Sequence, residues 1–212
     1  KMEEARKSSA KTFVTQLTRV SSPSRSSKKT RRSGGGLRSI VNGGDVTIEN
    51  EFVALNFDGA AGSVKSYVNK ASGVVTPLNL NHAYYQSYIN DGQKSGAYIF
   101  RPATQDLPTP ITTSGTLYVQ RGPIVQEVVQ VVNEWINQTF RIIAGQQFVE
   151  IEFTVGEIPF NYYDGKEVVL QYVTPIQSNG TWYTDSNARE MIIRQRNYRS
   201  SYNLTITEPI AG

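Results

Sequence analysis

The sequence predicts an all-β chain organised as a large antiparallel β-sandwich, and three observations predict it. Apolar and polar residues alternate at period two in several short runs. Turn signals recur roughly every 8–14 residues. Apolar residues at the helical spacing i, i+3, i+4, i+7 are not sustained anywhere. A length of 212 residues accommodates one all-β domain or two small ones.

The β pattern starts near residue 40. Val46-Thr47-Ile48-Glu49 alternates, and Val53, Leu55 and Phe57 continue at period two. Asp58-Gly59 and Gly62 mark a turn, Val64–Asn69 reads as the returning strand, and Ala71-Ser72-Gly73 turns again, which is a hairpin pattern. Asn90-Asp91-Gly92 is another turn signal, and Pro102–Thr113, with three prolines, reads as a loop. Ile124–Trp135 is a Val- and Gln-rich run that suits a strand, and Thr139–Ile143 suits another, with Ala144-Gly145-Gln146 turning the chain. Val149, Ile151, Phe153 and Val155 then point one way, with Glu150, Glu152 and Thr154 the other. Asp164-Gly165 signals a turn, and Lys166–Val173 and Thr181–Thr184 are further strands.

Residues 1–38 differ in kind. They hold 11 of the 22 Lys and Arg but only two acids, a local charge of +9, whereas residues 39–212 carry 11 basic and 16 acidic residues, a charge of −5. Ser21–Gly36 (SSPSRSSKKTRRSGGG) has no apolar residue to bury and reads as a disordered, basic Ser/Gly-rich linker or tail, 1–36. Lys11–Val20 alternates and suits a short strand. Arg31 and Arg32, in Lys28-Lys29-Thr30-Arg31-Arg32, are a candidate proteolytic processing site, because proteases cut exposed loops. A nucleic-acid partner is disfavoured, since no aromatic residue lies between Thr15 and Arg38 to stack on a base. No run approaches about 18 consecutive apolar residues, so no membrane-spanning helix and no membrane partner are expected. No apolar run follows Lys1, so these residues carry no signal peptide.

The chemistry available is limited. Cysteine is absent, which excludes disulfides, thiolate metal ligands and a thiol nucleophile. There is a single histidine, His82, best read as structural, since zinc takes three or four ligands. Glycoside hydrolysis needs two carboxylates facing one bond. Glu150 and Glu152 share a strand face but read as solvated, opposite an apolar face. Asp164, Glu167, Asp185 and Glu190 sit near turns. Asn137, Asn179 and Asn203 begin N-x-[ST] triplets and are candidate glycosylation sites. The 14 Asn and 37 Ser/Thr predict about 2.4 such triplets by chance, so the number alone says nothing of secretion.

Several segments carry a resemblance. SGAYIFRP (Ser95–Pro102), GPIVQEV (Gly122–Val128), QFVEIEFTVGEIP (Gln147–Pro159), YTDSNARE (Tyr183–Glu190) and TEPIAG (Thr207–Gly212) occur in the order and at the spacing of one family. Together with Leu37–Gly73, they resemble the β region of lysosomal-type class II α-mannosidases, glycoside hydrolase family 38. The resemblance covers residues 37–212. It implies a galactose-mutarotase-like β supersandwich, incomplete at its C-terminus. It implies a parent enzyme that uses zinc and a carboxylate nucleophile to remove terminal α-mannose from N-glycan oligosaccharides with retention, and a lysosomal or secreted location. The nucleophile and zinc ligands of that family lie in upstream catalytic α/β and helical domains, so those domains and mannose-containing glycans are the implied partners. This chain by itself is expected to bind no zinc and to be inactive.

Tyr98, in SGAY, is the one residue that the resemblance brings toward the sugar, where a phenol hydrogen-bonds a hydroxyl and the ring stacks. Asp185 and Arg189 read as a turn-stabilising or inter-domain pair. Ala188 stands where the family usually has Gly, which touches a turn needing positive φ, and Ser200-Ser201 replace Pro-Thr. Two other readings remain open. A stand-alone carbohydrate-binding module would need an exposed aromatic platform, for which Tyr84, Tyr85 and Tyr88 are candidates. A binder of anionic surfaces would act through residues 1–38 and lose affinity steeply with salt.

Overall fold

A computed structural model of the chain describes residues 39–90, 94–104, 108–112, 114–159, 165–195 and 198. Among these residues all regular structure is β, without a helix. Lys11–Val20, Arg31, Arg32, Asp164, Ser200, Ser201 and Asn203 lie outside the described residues. The chain forms two compact units. The first takes the sequence up to Asn81 with Thr112–Ile158 and Gln171–Val173; the second takes His82–Ile111, Pro159–Leu170 and the sequence from Thr174.

The first unit is built from two antiparallel sheets. One runs β1 (Ser39–Ile40), β8 (Thr116–Arg121), β9 (Val125–Val131), β10 (Ile136–Ile143), β11 (Glu150–Val155). The other runs β2 (Val46–Glu49), β3 (Val53–Asp58), β4 (Ser63–Asn69), β5 (Val74–Pro77). The alternation read in the sequence decides what each strand buries. Val53, Leu55 and Phe57 of β3 are buried, as are Ile136, Phe140 and Ile142 of β10 and Val149 and Ile151 at β11. Phe57 and Phe140 meet edge to face, with ring centroids 5.0 Å apart and planes at 76°. This geometry adds about 1 kcal/mol to the burial of both rings. It also joins the two sheets through their centres.

Polar groups fasten the sheets on two sides of that aromatic pair. At one side the β3–β4 turn lies against β8 and β9. A β-carbon at Gly62 would fall 1.7 Å from the Gly115 carbonyl oxygen, and one at Gly115 would fall 2.6 Å from that of Val131. Only glycines permit this approach, and Gly62 also takes φ +64°. The Gly62 carbonyl brought inside accepts a hydrogen bond from Gln130 Nε2 at 2.6 Å, and the Gln130 side-chain Oε1 accepts one from Gln138 Nε2 at 2.5 Å. Gln130 and Gln138 face each other across the β9–β10 ladder and are 2% and 0% exposed.

At the other side Asn50 closes the β2–β3 turn. Its Oδ1 accepts from the Phe52 and Val53 N–H groups, both at 2.9 Å, and its Nδ2 donates to the Ile143 and Gln146 carbonyls, both at 2.7 Å. Glu51 then accepts from the Gly145 N–H at 2.8 Å. The turn joining β10 to β11 is thus held by the turn joining β2 to β3.

The second unit contains most of a three-stranded sheet, in the order β12 (Lys166–Val173), β6 (Asn79–Gln86), β7 (Thr109–Thr112), and the antiparallel hairpin β13 (Thr181–Asp185) to β14 (Met191–Gln195). Strand β12 coincides with the Lys166–Val173 reading. Strand β7 departs from the loop read over Pro102–Thr113. It sits at a sheet edge, where Pro110 need not donate to a neighbour. The Ile124–Trp135 run is also shorter as a strand than its apolar content suggests. The Asn133 side chain accepts from the Trp135 and Ile136 N–H groups at 3.0 and 2.8 Å and turns the chain after Val131.

The glycine contact at the β3–β4 turn separates crowding from backbone strain. Gly73 has φ +70° with nothing near its missing β-carbon, so Gly73→Ala carries only left-handed strain, about 1 kcal/mol. Gly62→Ala adds a backbone collision and is expected to cost about 3 kcal/mol or more. Urea unfolding of the two variants should show a markedly lower midpoint for Gly62→Ala; equal midpoints would mean that the turn shifts freely.

Candidate functional site

The segment Ser87–Ala103 in the second unit forms a clamped loop. Ser87 pairs with Pro102, and Tyr88 N–H donates to the Arg101 carbonyl at 2.8 Å. Ser95 is the clamp. Its Oγ accepts from the Arg101 N–H at 2.9 Å and donates to the Arg101 carbonyl at 2.8 Å, while its own N–H donates to the Tyr88 carbonyl at 2.8 Å. Gly96 N–H then reaches the Ile99 carbonyl at 3.0 Å and closes a four-residue turn with Ala97 and Tyr98 at its centre. Tyr98 is 100% exposed at this tip, with Ile99 exposed beside it. An apolar ring left wholly in water on a braced turn is available to meet something else.

The other tyrosines are arranged differently. The Arg101 guanidinium lies 4.2 Å above the Tyr88 ring, and Lys166 Nζ lies 5.5 Å from the Tyr84 ring centroid. Tyr84, Tyr85 and Tyr88 are all half-buried. On Tyr84 and Tyr88 a cation occupies a ring face that a sugar would use for stacking.

The carboxylates come together in a way the sequence did not show. Arg141 stands opposite Glu127 on β9 and Glu150 on β11. Its guanidinium reaches Glu127 at 2.7 Å, Glu150 at 3.2 Å and Glu152 at 3.8 Å. The hydrogen bond to Glu127, ahead of that to Glu150, raises the Arg141 pKa above its ordinary value, against the lowering effect of burial. Glu150 and Glu152 are therefore half-exposed members of an ion cluster rather than freely solvated. An arginine between carboxylates stabilises a sheet face, at about 1 kcal/mol or less per partly exposed pair, and engages Glu150 and Glu152 rather than leaving them as a pair facing a glycosidic bond. His82 is buried at 1% exposure on β6. Among the described residues no three His, Cys, Asp or Glu side chains gather as a metal site needs. The described residues thus do not fit a zinc ion.

The YTDSNARE segment forms the β13–β14 hairpin turn. Asp185 accepts from the Ala188 N–H at 2.9 Å, Ser186 and Glu190 exchange a backbone bond at 2.9 Å, and Arg189 N–H reaches the Ser186 carbonyl at 3.0 Å. Asn187 and Ala188 take φ +51° and +56°. Asn tolerates this region, whereas Ala does not. The sequons differ in setting. Asn137 is exposed on β10 beside buried Gln138, and Asn179 is exposed in a turn.

Residues 48–211 match the glycosyl hydrolases family 38 C-terminal domain. The chain belongs to glycosyl hydrolase family 38. Family 38 relatives include the lysosomal alpha-mannosidase of Homo sapiens, 39% identical over 170 residues that cover 79% of this chain and 17% of that protein. The alpha-mannosidase of Canavalia ensiformis is 39% identical over 74% of this chain and 16% of its own length. The lysosomal alpha-mannosidase of Dictyostelium discoideum is 35% identical over 85% of this chain and 18% of its own. The chain thus spans under a fifth of the length of these family 38 proteins.

Ala188 is the residue at which this family 38 chain works against its own backbone. Ala188→Gly is expected to stabilise the hairpin by about 1 kcal/mol. Amide exchange at Ser186 and Arg189 should slow accordingly, and unchanged exchange would show that the turn stores no strain.

Proposed function

We propose that this chain is a non-catalytic β-domain portion of a zinc-dependent, retaining α-mannosidase that removes terminal α-mannose from N-glycan oligosaccharides. Membership of family 38 supports the reaction class. The single observation that carries the role of these residues is the wholly exposed Tyr98, set at the tip of a turn that Ser95 clamps on both sides. In this reading residues 37–212 form the β domain and residues 1–36 the linker to upstream catalytic α/β and helical domains, with Arg31-Arg32 available for processing.

The upstream domains supply zinc and the nucleophilic carboxylate. The metal's chemistry there is to hold and polarise sugar hydroxyls. The residues of this chain act by binding and orientation. Tyr98 offers its phenol to a mannose hydroxyl and its ring to the apolar face of the sugar. Ser95 and the Gly96–Ile99 turn hold that ring in one place before substrate arrives, so less ordering entropy is lost on binding. The cluster at Arg141 keeps the sheet intact. In this reading the parent enzyme acts in the lysosome or after secretion; the names of several relatives, lysosomal alpha-mannosidases, support the first.

The purified chain, assayed with added zinc on an aryl α-mannoside at acidic and near-neutral pH, is expected to give no turnover. Zinc-dependent turnover abolished by a chelator would overturn the assignment. When the upstream portion is supplied on one polypeptide, Tyr98→Ala is expected to lower kcat/KM about tenfold, the worth of one hydrogen bond, and unchanged kinetics would remove Tyr98 from the sugar site. Ser95→Ala is expected to leave the fold intact but speed chymotryptic cleavage after Tyr98 several-fold.

A further inference from the structure

The turn from Ser178 to Thr181 carries a chemistry that the proposed function does not use. Asn179 and Gly180 are exposed and take φ +52° and +69°. The Thr181 N–H closes the turn on the Ser178 carbonyl at 2.9 Å. Among the described residues the Gly180 N–H donates no hydrogen bond, and nothing lies within 4 Å of the position its β-carbon would take. The stretch before it, Thr174–Ser178, has no regular structure.

We propose that Asn179–Gly180 is a self-modification site, at which the Asn179 amide is lost through a cyclic imide. The Gly180 backbone nitrogen attacks Cγ of Asn179. A new N–Cγ bond forms, the Cγ–Nδ2 bond breaks, the Gly180 amide proton passes to the leaving nitrogen through solvent, and ammonia departs. Water then opens the five-membered ring at either carbonyl, giving aspartate or isoaspartate. Water is the only co-reactant and no oxidant or reductant is needed.

Each step has a structural reason. Attack requires the backbone around Asn179 to rotate out of the left-handed region, which an asparagine tolerates but does not prefer over extended backbone. Gly180 brings no β-carbon against Cγ. One backbone hydrogen bond closes the turn, so little must break. Two other pairs serve as internal comparisons. Asn137 precedes Gln138, which is buried and held in the ladders of β10, so its following nitrogen cannot reach Cγ. Asn42–Gly43 has an equally open glycine, but Asn42 itself is not left-handed. The consequence is specific. Asn179 begins a sequon, and a glycan on Nδ2 and loss of Nδ2 exclude one another. Opening of the ring also adds a carboxylate three residues before the exposed Trp182-Tyr183 pair of β13.

The test is incubation of the full chain made in a bacterial host, free of glycan, in mildly alkaline buffer at body temperature. Peptide mapping and enzymatic isoaspartate labelling would follow it, with a urea-unfolded sample alongside. The expected result is conversion at Asn179 ahead of Asn42, none at Asn137, and a native rate close to the unfolded one. Gly180→Ala should slow it about tenfold, through the added β-carbon. Persistence of Asn179 in the native chain while the unfolded chain converts would overturn the proposal, as would conversion at Asn42 alone.

Discussion

The first unit depends on one close approach, the Gly62 backbone laid on Gly115. Bringing the β3–β4 turn that near to β8 places a carbonyl where water does not reach it, and an unanswered buried carbonyl costs on the order of 1–3 kcal/mol. Gln130 answers it, and Gln138 in turn answers Gln130. Both glutamines sit on the inward face of their strands, directly opposite each other. A slip of one residue along either strand would turn its glutamine outward and bring a neighbour such as Thr139 or Val129 into the core. The amide pair therefore sets register as well as satisfying a carbonyl. Phe140 shares the inward face of β10 with Gln138, so the Phe57–Phe140 contact uses the same register.

This rigidity contrasts with the parts of the second unit that face solvent. The Gly96–Ile99 turn and the β13–β14 turn are held by local hydrogen bonds from Ser95 and Asp185, not by a core. Such loops keep their shape at small cost and leave side chains free, as binding surfaces require. Local clamping explains how Tyr98 can be both wholly exposed and positioned. The Ala188 turn reaches a similar shape at a local cost.

Much of this was legible beforehand. Period-two alternation located β2, β3 and β11, because a half-buried strand must alternate, and runs between turn signals located β4, β10, β12 and β13. Three cases resisted. Strand β7 was hidden by its prolines, which are harmless at an edge that only the sheet order reveals. The buried roles of Gln130 and Gln138 left no mark in the sequence, because no local signal says that a glutamine will find a buried carbonyl from residue 62. The Arg141 cluster escaped because Glu127, Arg141 and Glu150 are far apart in sequence and meet through ladder register.

By itself the sequence determined the all-β class, the separation of a basic N-terminal segment from an acidic remainder, and the order of motifs that marks family 38, because composition and alternation are local properties. The resemblance to that family also pointed to a turn needing positive φ at Ala188, where the family usually has Gly. The tertiary structure alone decided which polar residues lie inside, which carboxylates share an arginine, and that Tyr98 stands free while Tyr84 and Tyr88 face cations. Those outcomes depend on which strands become neighbours, and neighbours are chosen by packing over long sequence separations, where no short pattern can record them.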